Sequence, residues 1–573
     1  MRYLQSMLTP LKQHTALFLF AVLMTTLVIP VCGNILADFV DPFLSFLLPL
    51  FGCYLAAALA YALSKVRLAW LVWVLVVIIC GGEMLCIFCY HSFYSVHVVE
   101  LLLETNPKES TEFLSSISTQ ASTWWSLLIT FATLFFSILL AKVTERIPNW
   151  KHVPACLIGL LILWSGIRQI SSYTKLVKCF GADSTMLISE ERNMPHFNTP
   201  MVRLLYGYAY NRVSTKELSK LAESCKGAQV ESCTFKSPLI IMIMGESYNK
   251  YHSPLYNPSY LPTTPRLSAL EKDSLLVPFY DVVSPSNLTS TVMRHVFSMW
   301  DSQCQDDWSE YSLFPVLFRK AGYQVAFLTN QFALKTNNLW NAVGGTIFNS
   351  PELSDIQFDV RNKEQYEYDM QMLKELPSTE FFDKPTLLIV HLYGQHVEYD
   401  KRYPSEEAPF KAEDERTPFG GQRGREMAAH YDNATAYNDK VVDTIFNLFK
   451  DRDAIGIYLS DHGEEVFDWR DKFERTSGKE MTTEIARYQY EVPFMFYLSP
   501  SYRQHHPDVD ESIRAAQHIP YITERLPHTL LHLAGIKCKE YDETKDILSP
   551  RYNRHAKRII RHDVDYDELM KSK

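Results

Sequence analysis

The 573-residue sequence predicts two unlike parts, a bundle of five transmembrane helices followed by an α/β domain with a mostly parallel sheet between helices. Long, uncharged apolar segments are confined to the first 170 residues. After residue 237, short apolar runs of strand length alternate with helical patterns. We therefore expect a transmembrane domain at residues 1–170, a linker with helices on the membrane surface at 171–236, and a large water-exposed domain at 237–573.

Five apolar segments are each long enough to cross a bilayer as a helix, at about residues 15–37, 43–63, 69–90, 123–141 and 153–170. Lys and Arg precede the first span and occupy the connections between the second and third and between the fourth and fifth spans. The turn at 38–41 has neither. Because basic loops stay in the cytoplasm, the N-terminus is expected inside and the C-terminal domain outside.

The connection at about 91–122 is the long loop of the membrane part, on the same outer side as the C-terminal domain. Its stretch LLLETNPKES, at 101–110, has two interpretations. It could be an amphipathic helix resting on lipid headgroups, or a wall of the active site that meets a lipid substrate.

Composition excludes some classes of function. A net charge of −9, without a platform of basic and aromatic residues, argues against nucleic-acid binding. Six of the 11 cysteines lie in or at the edges of the predicted membrane spans, and no finger-like Cys/His spacing appears, so a structural zinc module is not expected. Cys225 and Cys233 are close enough in sequence to form a disulfide, but the sequence does not establish that bond.

Four apolar runs predict the strands of the C-terminal domain, at 238–244, 324–328, 386–392 and 454–460. They lack polar alternation, which is typical of strands covered on both faces in a parallel sheet. Helical patterns separate them, for example at 311–321 and 431–450. Because the carboxyl ends of parallel strands meet at one edge, the polar residues that follow these runs are expected to lie together.

The residues at that edge predict a metal site. Asp461 and His462 follow one apolar run and Glu246 follows another, and two carboxylates with an imidazole suit Zn²⁺ or Mn²⁺. We expect Gly463 to give the backbone the freedom for the turn. The alternative is that the Asp–His pair only caps the next helix or makes a surface hydrogen bond.

A Ser/Thr-rich turn before a helical pattern at 281–298 supplies hydroxyl groups. A hydroxyl at a helix N-terminus lies in positive potential, and a divalent ion lowers the pKa of an oxygen ligand, so such a group could act as a nucleophile. The alternative is that Thr289, Ser290 or Thr291 merely caps the helix.

Several motifs occur in a fixed order along the chain. They are GES at 245–247, TTP at 263–265, Thr289, TNQ at 329–331, HLYGQH at 391–396, KRYP at 401–404, YDNATAYND at 431–439 and SDHGEE at 460–465. Together they resemble the bacterial inner-membrane phosphoethanolamine transferases of the alkaline phosphatase/sulfatase superfamily, and ETNPKE at 104–109 resembles their periplasmic membrane loop. HLYGQHVEYDKRYP, SDHGEEVFD and VDYDEL are most similar to the branch that modifies the lipopolysaccharide core.

The resemblance implies a role for each matched residue. Thr289 is the implied nucleophile, preferred over Ser290 and Thr291 because its distance to Ser298 fits the family turn. Leu101 stands where the family has an asparagine. The remaining implied roles are Zn²⁺ ligands for Glu246, Thr289, Asp461 and His462, phosphoryl or leaving-oxygen handling for His396, a second acidic position beside the metal for Glu464, and ethanolamine headgroup contacts for Thr105 and Glu109.

One family histidine is missing from this sequence. The family carries a histidine after the SDHG motif, but none occurs here between His462 and His505, and Tyr488 occupies the corresponding place. Either a neighbouring residue takes over its contact, or phosphoryl binding depends more on His396 and Arg487. The cysteine framework of the lipid A-modifying branch is also not evident, which favours a core sugar acceptor.

The implied activity is zinc-dependent transfer of phosphoethanolamine from phosphatidylethanolamine to lipopolysaccharide, through a phosphoethanolamine-threonine intermediate, with release of diacylglycerol. The resemblance implies one tightly bound Zn²⁺, leaves a second ion open and makes Mn²⁺ the lesser choice. It places the chain as a multi-pass protein of the inner membrane with a periplasmic catalytic domain at 237–573. The added ammonium would offset anionic surface charge and weaken the binding of cationic peptides.

Two alternatives stay open at this point. A related enzyme could transfer glycerol phosphate from phosphatidylglycerol with Mn²⁺, and an inactive chain could serve as a metal-binding periplasmic sensor or scaffold. A hydrolytic sulfatase is not favoured, because the Cys-x-Pro-x-Arg segment that supplies its modified nucleophile is absent.

Overall fold

The computed structural model describes residues 9–36, 47–90, 93, 94, 99, 121–145, 153–180, 199–332, 346–473, 475 and 481–571. The chain forms two compact units, Met1–Lys216 and Glu217–Lys573. The predicted membrane-loop residues Thr105 and Glu109 lie outside the described residues.

The first unit is helical throughout its described residues. A π-helical turn, Met24–Val28, joins α2 to α3, so that they form one apolar helix. The helices are α1 (Thr9–Gln13), α2 (Thr15–Leu23), α3 (Ile29–Leu36), α4 (Leu50–Ser64), α5 (Ala69–Tyr90), α6 (Ala121–Glu145), α7 (Val153–Cys179) and α8 (Pro200–Gly227), the last of which continues into the second unit.

Three helices in the described part of the chain are long and apolar enough to cross a membrane, Thr15–Leu36, Ala69–Cys89 and Ala121–Val143. Two shorter apolar helices, Leu50–Ser64 and Leu157–Ile170, fall at the positions of the other two predicted spans. The count of five spans therefore stays a prediction.

A buried ion pair lies inside the first unit. The Arg203 side chain donates to Glu83 through Nε and Nη2, each 2.6 Å from a different carboxylate oxygen. The Tyr94 backbone N–H donates to the same carboxylate at 3.2 Å. Both charged side chains are buried, and burial of either charge alone would be unfavourable. This pairing fixes the start of α8 on α5.

A seven-stranded mixed sheet forms the centre of the second unit. Six strands run in one direction and β7 alone runs against them. In space the order is β2-β7-β6-β1-β5-β3-β4. The strands are β1 (Leu239–Gly245), β2 (Leu276–Phe279), β3 (Gln324–Thr329), β4 (Val360–Arg361), β5 (Thr386–His391), β6 (Ala454–Ser460) and β7 (Phe494–Leu498).

The four strands predicted from apolar runs are all present, as β1, β3, β5 and β6. Their uniform apolarity has a structural cause, because the sheet packs against a separate core on each face. Ile240 and Met242 of β1 belong to one apolar cluster, whereas their neighbours Ile241 and Ile243 belong to another. Alternate residues of a strand point to opposite faces, so every position on β1 must be apolar.

Helices cover both faces of the sheet. The predicted helix at 431–450 is part of a longer one, α15, and the pattern at 311–321 corresponds to α11. The helices of this unit after α8 are α9 (Pro265–Lys272), α10 (Thr289–Phe297), α11 (Phe314–Ala321), α12 (Thr346–Asn349), α13 (Pro351–Gln357), α14 (Asp369–Met372), α15 (Gly421–Leu448), α16 (Thr483–Tyr490), α17 (Pro500–His505), α18 (Pro507–Ala516), α19 (Leu526–Ala534) and α20 (Tyr566–Lys571).

Three small pairs of strands lie outside the main sheet. They join Val230–Cys233 to Ile536–Cys538, Val282–Val283 to Tyr521–Ile522, and Ile559–Ile560 to Val564–Asp565. Cys225 and Cys233 are both free thiols in this structure, so the disulfide that their spacing would allow is not formed.

Candidate active site

Glu246, Asp461 and His462 meet at the carboxyl edge of the sheet. Strands β1 and β6 are parallel neighbours with Gly245 opposite Ser460, so the next residue of each strand enters the same loop region. All three side chains are fully buried, and one ligand atom from each lies within 4.8 Å of the others. The grouping predicted from the sequence is therefore present in the structure.

The His462 ring is oriented for metal binding. Its Nδ1 lies 2.9 Å from the Gly463 carbonyl oxygen, so Nδ1 carries the proton and donates to that oxygen. Its Nε2 then directs a lone pair toward Glu246 and Asp461, whose oxygens lie 3.2 and 3.0 Å away. Lone pairs that converge from an imidazole and two carboxylates repel one another unless a cation binds between them.

The electrostatics of the two carboxylates differ. Burial opposes ionisation of Glu246, but its interactions with the His462 and His396 imidazoles and with the Arg475 guanidinium outweigh burial and hold the pKa of this carboxyl well below its usual value. Burial and the nearby Glu246 charge raise the pKa of Asp461. Two buried acids this close favour a cation between them over two free negative charges.

Thr289 adds a hydroxyl to this group. Its Oγ1 lies 3.1 and 3.3 Å from the Glu246 carboxylate oxygens and 3.3 Å from His462 Nε2. Thr289 is the first residue of α10, whose N-cap is Leu288, and no side chain caps this helix. The hydroxyl therefore points into the site in the positive potential of a helix N-terminus. Thr291 is buried on the same helix, without a hydrogen-bond partner for its hydroxyl among the described residues.

These donors fit a zinc ion. Two carboxylates, one imidazole and one hydroxyl give four oxygen or nitrogen ligands, the number that a tetrahedral zinc site requires. Asp461 is held in place because its Oδ1 accepts from the backbone N–H groups of Ser247 and His462, at 3.0 and 2.7 Å. Its Oδ2 accepts no hydrogen bond from the described residues and faces His462.

The TNQ motif supports Glu246. The Gln331 side-chain amide donates to Glu246 Oε2 at 3.0 Å and to the Leu392 carbonyl at 3.0 Å, so it links the loops that follow β3, β1 and β5. Gly394 has a φ of +53°, and a Cβ there would lie 2.8 Å from the Glu246 backbone nitrogen. A glycine is required at this close approach.

His396 precedes the Asp461–His462 pair in the chain, and Glu464 follows it. Burial lowers the pKa of His396, so its imidazole is neutral at pH 7, and its ring packs edge-to-face on Tyr393 with centroids 5.2 Å apart. Glu464 is buried and accepts from the Tyr399 hydroxyl at 2.8 Å. Their expected roles toward a substrate stay predictions.

Arg475 is a residue of this region that the sequence did not single out. Its guanidinium contacts the His462 ring, and its Nη1 lies 3.9 Å from Glu246 Oε1. Its Nε lies 3.4 Å from Glu464 Oε2. The available signal was a basic residue shortly after the SDHG motif. The family pattern has a histidine in this segment, so it does not indicate an arginine.

A sulfatase family profile matches residues 238–536, which covers β1 through the strand at Ile536–Cys538 and includes every metal-ligand candidate. The chain belongs to the sulfatase family.

Relatives that match most of this sulfatase-family chain are named phosphoethanolamine transferases. Phosphoethanolamine transferase EptC of Escherichia coli strain K12 is 27% identical over 521 residues, covering 84% of each chain. Phosphoethanolamine transferase CptA of Salmonella typhimurium is 26% identical over 512 residues, covering 84% of this chain and 83% of that one. The C-terminal periplasmic domain of Escherichia coli EptC, crystallised in complex with Zn, superposes with a TM-score of 0.50 at 27% identity, over 60% of this chain and 95% of that domain.

Gly463 of this sulfatase-family domain is required for space. The sequence predicts that it supplies conformational freedom, but its φ is not positive. A Cβ at Gly463 would lie 2.2 Å from the Tyr488 carbonyl oxygen. Tyr488 thus contacts the site through its backbone, and its ring packs on Tyr251 instead.

The TTP and YDNATAYND motifs of the sulfatase-family domain hold loops near the site in place through hydrogen bonds. Asp439 accepts from the backbone N–H groups of Arg266 and Leu267 at the start of α9. Tyr431 accepts from the Asn249 backbone N–H and donates to the Ser247 carbonyl, each at 2.6 Å. These motifs therefore position loops and do not face the metal ligands.

Proposed function

We propose that this chain is a zinc-dependent transferase that moves phosphoethanolamine from phosphatidylethanolamine to lipopolysaccharide, with a heptose or phosphate of the core preferred over lipid A. The observation that carries the proposal is the Thr289 hydroxyl beside Glu246 and His462 at the start of α10. The names of the EptC and CptA relatives support the transferred group, and the Zn complex of Escherichia coli EptC supports the metal.

The chain's own residues would hold one zinc ion with Glu246, Thr289, Asp461 and His462. When bound, Zn²⁺ supplies Lewis acidity that lowers the pKa of a hydroxyl and offsets negative charge on phosphoryl oxygens. The buried Asp461 and His462 are fixed by backbone hydrogen bonds, so they need no rearrangement during the reaction.

The proposed reaction has two transfers. In the first, Thr289 Oγ1 forms a bond to phosphorus, the bond from phosphorus to the diacylglycerol oxygen breaks, and the proton lost by Thr289 ends on that oxygen. In the second, an acceptor oxygen bonds to phosphorus, the bond to Oγ1 breaks, and Thr289 regains a proton. The neutral imidazole of His396 could carry a proton in both steps.

The proposed location follows from the donor. A phospholipid substrate requires access to a bilayer, and the apolar helices of the first unit supply an anchor in one. We place the chain in the inner membrane with a cytoplasmic N-terminus and a periplasmic catalytic domain. Thr105 and Glu109 are proposed to contact the ethanolamine headgroup, with Glu464 lining the same path.

Mass spectrometry of the intact, zinc-loaded protein tests the proposal. After incubation with phosphatidylethanolamine, a phosphoethanolamine adduct is expected on the peptide that contains Thr289, together with released diacylglycerol. Thr289→Ala is expected to give neither. If wild-type protein forms no adduct and releases no diacylglycerol, the donor assignment is wrong, and phosphatidylglycerol with Mn²⁺ is the next substrate to assay.

A further inference from the structure

We propose that Arg475 is the anion-binding residue of this site, holding the phosphoryl oxygens of the transferred group next to the metal ligands. The inference rests on the proposed function for the identity of the phosphoryl compound. The family has a histidine after the SDHG motif and this sequence does not. The inference assigns the contact of that histidine to Arg475, which carries a permanent positive charge.

Position is the first support for this assignment. The Arg475 guanidinium lies between Glu464, 3.4 Å from its Nε, and the Asn287 carbonyl oxygen, to which Nη1 donates at 3.4 Å. Asn287 is two residues before Thr289. The guanidinium therefore spans the gap between a buried acid and the loop that carries the proposed nucleophile.

Accessibility is the second support. The side chains of Glu246, Asp461 and His462 are fully buried, whereas that of Arg475 is 23% exposed. A ligand that enters from solvent therefore meets Arg475 on its way to the buried group. Among the described residues, Arg475 Nη2 has no hydrogen-bond acceptor, so its N–H groups are available to phosphoryl oxygens.

Two other basic residues of the region form ion pairs elsewhere. Lys250 pairs with Glu491 at 2.6 Å, and Arg470 pairs with Glu465 through two contacts of 2.5 and 2.6 Å. Arg487, the candidate offered by the sequence, lies on α16 near Tyr488 and has no ion pair with Glu246 or Glu464 in the part of the chain that the structure describes.

A cation in this position has opposite effects on the binding of zinc and on the binding of phosphate. The guanidinium repels a divalent metal ion and attracts a phosphate anion, so its removal should leave zinc binding intact or stronger while weakening phosphate binding. A residue that merely supports the loop would instead lose both ligands together. The two affinities therefore separate a binding role from a structural one.

The test uses full-length protein in detergent with Arg475→Ala, Arg475→Lys and a control, Arg503→Ala. Arg503 pairs with Asp510 and lies on α17, after β7. Because β7 runs against the other strands, α17 lies at the edge of the sheet opposite the metal ligands. Zinc affinity is measured by competition with a chelator, and inorganic phosphate affinity of the zinc-loaded protein by titration calorimetry.

We expect Arg475→Ala to weaken phosphate binding by roughly tenfold or more, because hydrogen bonds between ionised partners are the strong ones. Zinc affinity should be equal to or higher than that of wild type. Arg475→Lys should be intermediate for phosphate, since it keeps the charge but loses the planar fork. Arg503→Ala should match wild type for both ligands.

An unchanged phosphate affinity in Arg475→Ala, or parallel losses of zinc and phosphate in both Arg475 variants, would overturn the inference. Neither measurement involves a lipid. If the two affinities change as expected but wild-type protein releases no diacylglycerol from phosphatidylethanolamine, only the donor assignment fails.

Discussion

At the scale of single residues, His252 is a buried imidazole between two acids. Its Nδ1 lies 2.6 Å from Asp432 Oδ1, and its Nε2 lies 3.1 Å from Asp468 Oδ1. Burial disfavours the charged ring, but the two carboxylates outweigh burial and raise the pKa of His252 to about 10. This charged ring joins α15 to the loop after the metal ligands.

This ion cluster predicts a stability that falls at high pH. Because the pKa of His252 is raised in the folded state from its ordinary value of 6.5, its contribution is complete below pH 6.5 and is lost as pH rises through 10. We expect a loss on the order of 3 kcal/mol in the free energy of unfolding, measured by denaturant titration from pH 6.5 to 10.

His252→Gln is the control for that titration, because it removes the titrating ring. Its unfolding free energy should fall less between pH 8 and 10 than that of wild type. Burial and Asp432 raise the pKa of Glu415 to about 8, so its ionisation also lowers the free energy of unfolding as pH rises, but mainly below pH 8. The comparison above pH 8 therefore isolates His252. Equal slopes for the two proteins would contradict the assignment.

Gly463 gives a second prediction at this scale. Gly463→Ala places a methyl group 2.2 Å from the Tyr488 carbonyl oxygen, so the loop that carries His462 must move. We expect destabilisation of roughly 1–3 kcal/mol, the usual cost of overpacking, together with weaker zinc binding. Gly227→Ala is the matched control, because a Cβ there meets no atom within 4 Å. Zinc affinity and unfolding free energy are measured for both, and equal effects would contradict the steric explanation.

Chain position made the grouping of Glu246, Asp461 and His462 predictable, since each comes within two residues of the end of a buried strand. Arg475 was not predictable in this way, because no predicted strand ends next to it in the sequence. Gly463 was identified for the wrong reason, since a sequence does not show which backbone atoms will lie nearby.

At the scale of secondary-structure elements, α15 fixes the loop that follows β1. Ser247 has a φ of +57°, an unfavourable conformation for a residue with a side chain. The Tyr431 hydroxyl of α15 binds both the Ser247 carbonyl and the Asn249 N–H at 2.6 Å. The helix thus holds the strained turn beside Glu246.

Tyr431→Phe is expected to release that turn. Loss of a hydroxyl that satisfies two buried backbone groups should cost about 1–3 kcal/mol in the free energy of unfolding and weaken zinc binding. Tyr437→Phe, on the same helix but packed on Tyr368, should keep the zinc affinity of wild type. The changes are measured by denaturant titration and chelator competition. A Tyr431→Phe protein with unaltered zinc affinity would contradict the link.

The identity of the strands was more predictable than their direction. Four mainly apolar runs indicated β1, β3, β5 and β6, because burial on both faces leaves a clear pattern. The reversed direction of β7 leaves no such mark, since hydrophobicity is the same in either orientation. The two-residue strand β4 is too short to produce a pattern.

At the scale of the whole molecule, the two compact units predict a local effect of the proposed zinc ion. Its ligands all belong to Glu217–Lys573. A ligand at a hundred times its Kd stabilises the folded state by about 2.7 kcal/mol. Zinc should therefore slow hydrogen exchange in the sheet of this unit and leave exchange in Met1–Lys216 unchanged. Equal protection of both units after zinc addition would contradict a single site at the sheet edge.

The division into a membrane part and a water-exposed part stays a prediction from composition, and three of the long apolar helices on which it rests are present among the described residues.

The order of strands also determines when the site can form as the chain is made. Strand β1 is synthesised early, but its neighbours β5 and β6 are synthesised much later. A nascent chain therefore displays Glu246 long before Asp461 and His462 exist. The proposed metal site can therefore form only after His462 has been synthesised.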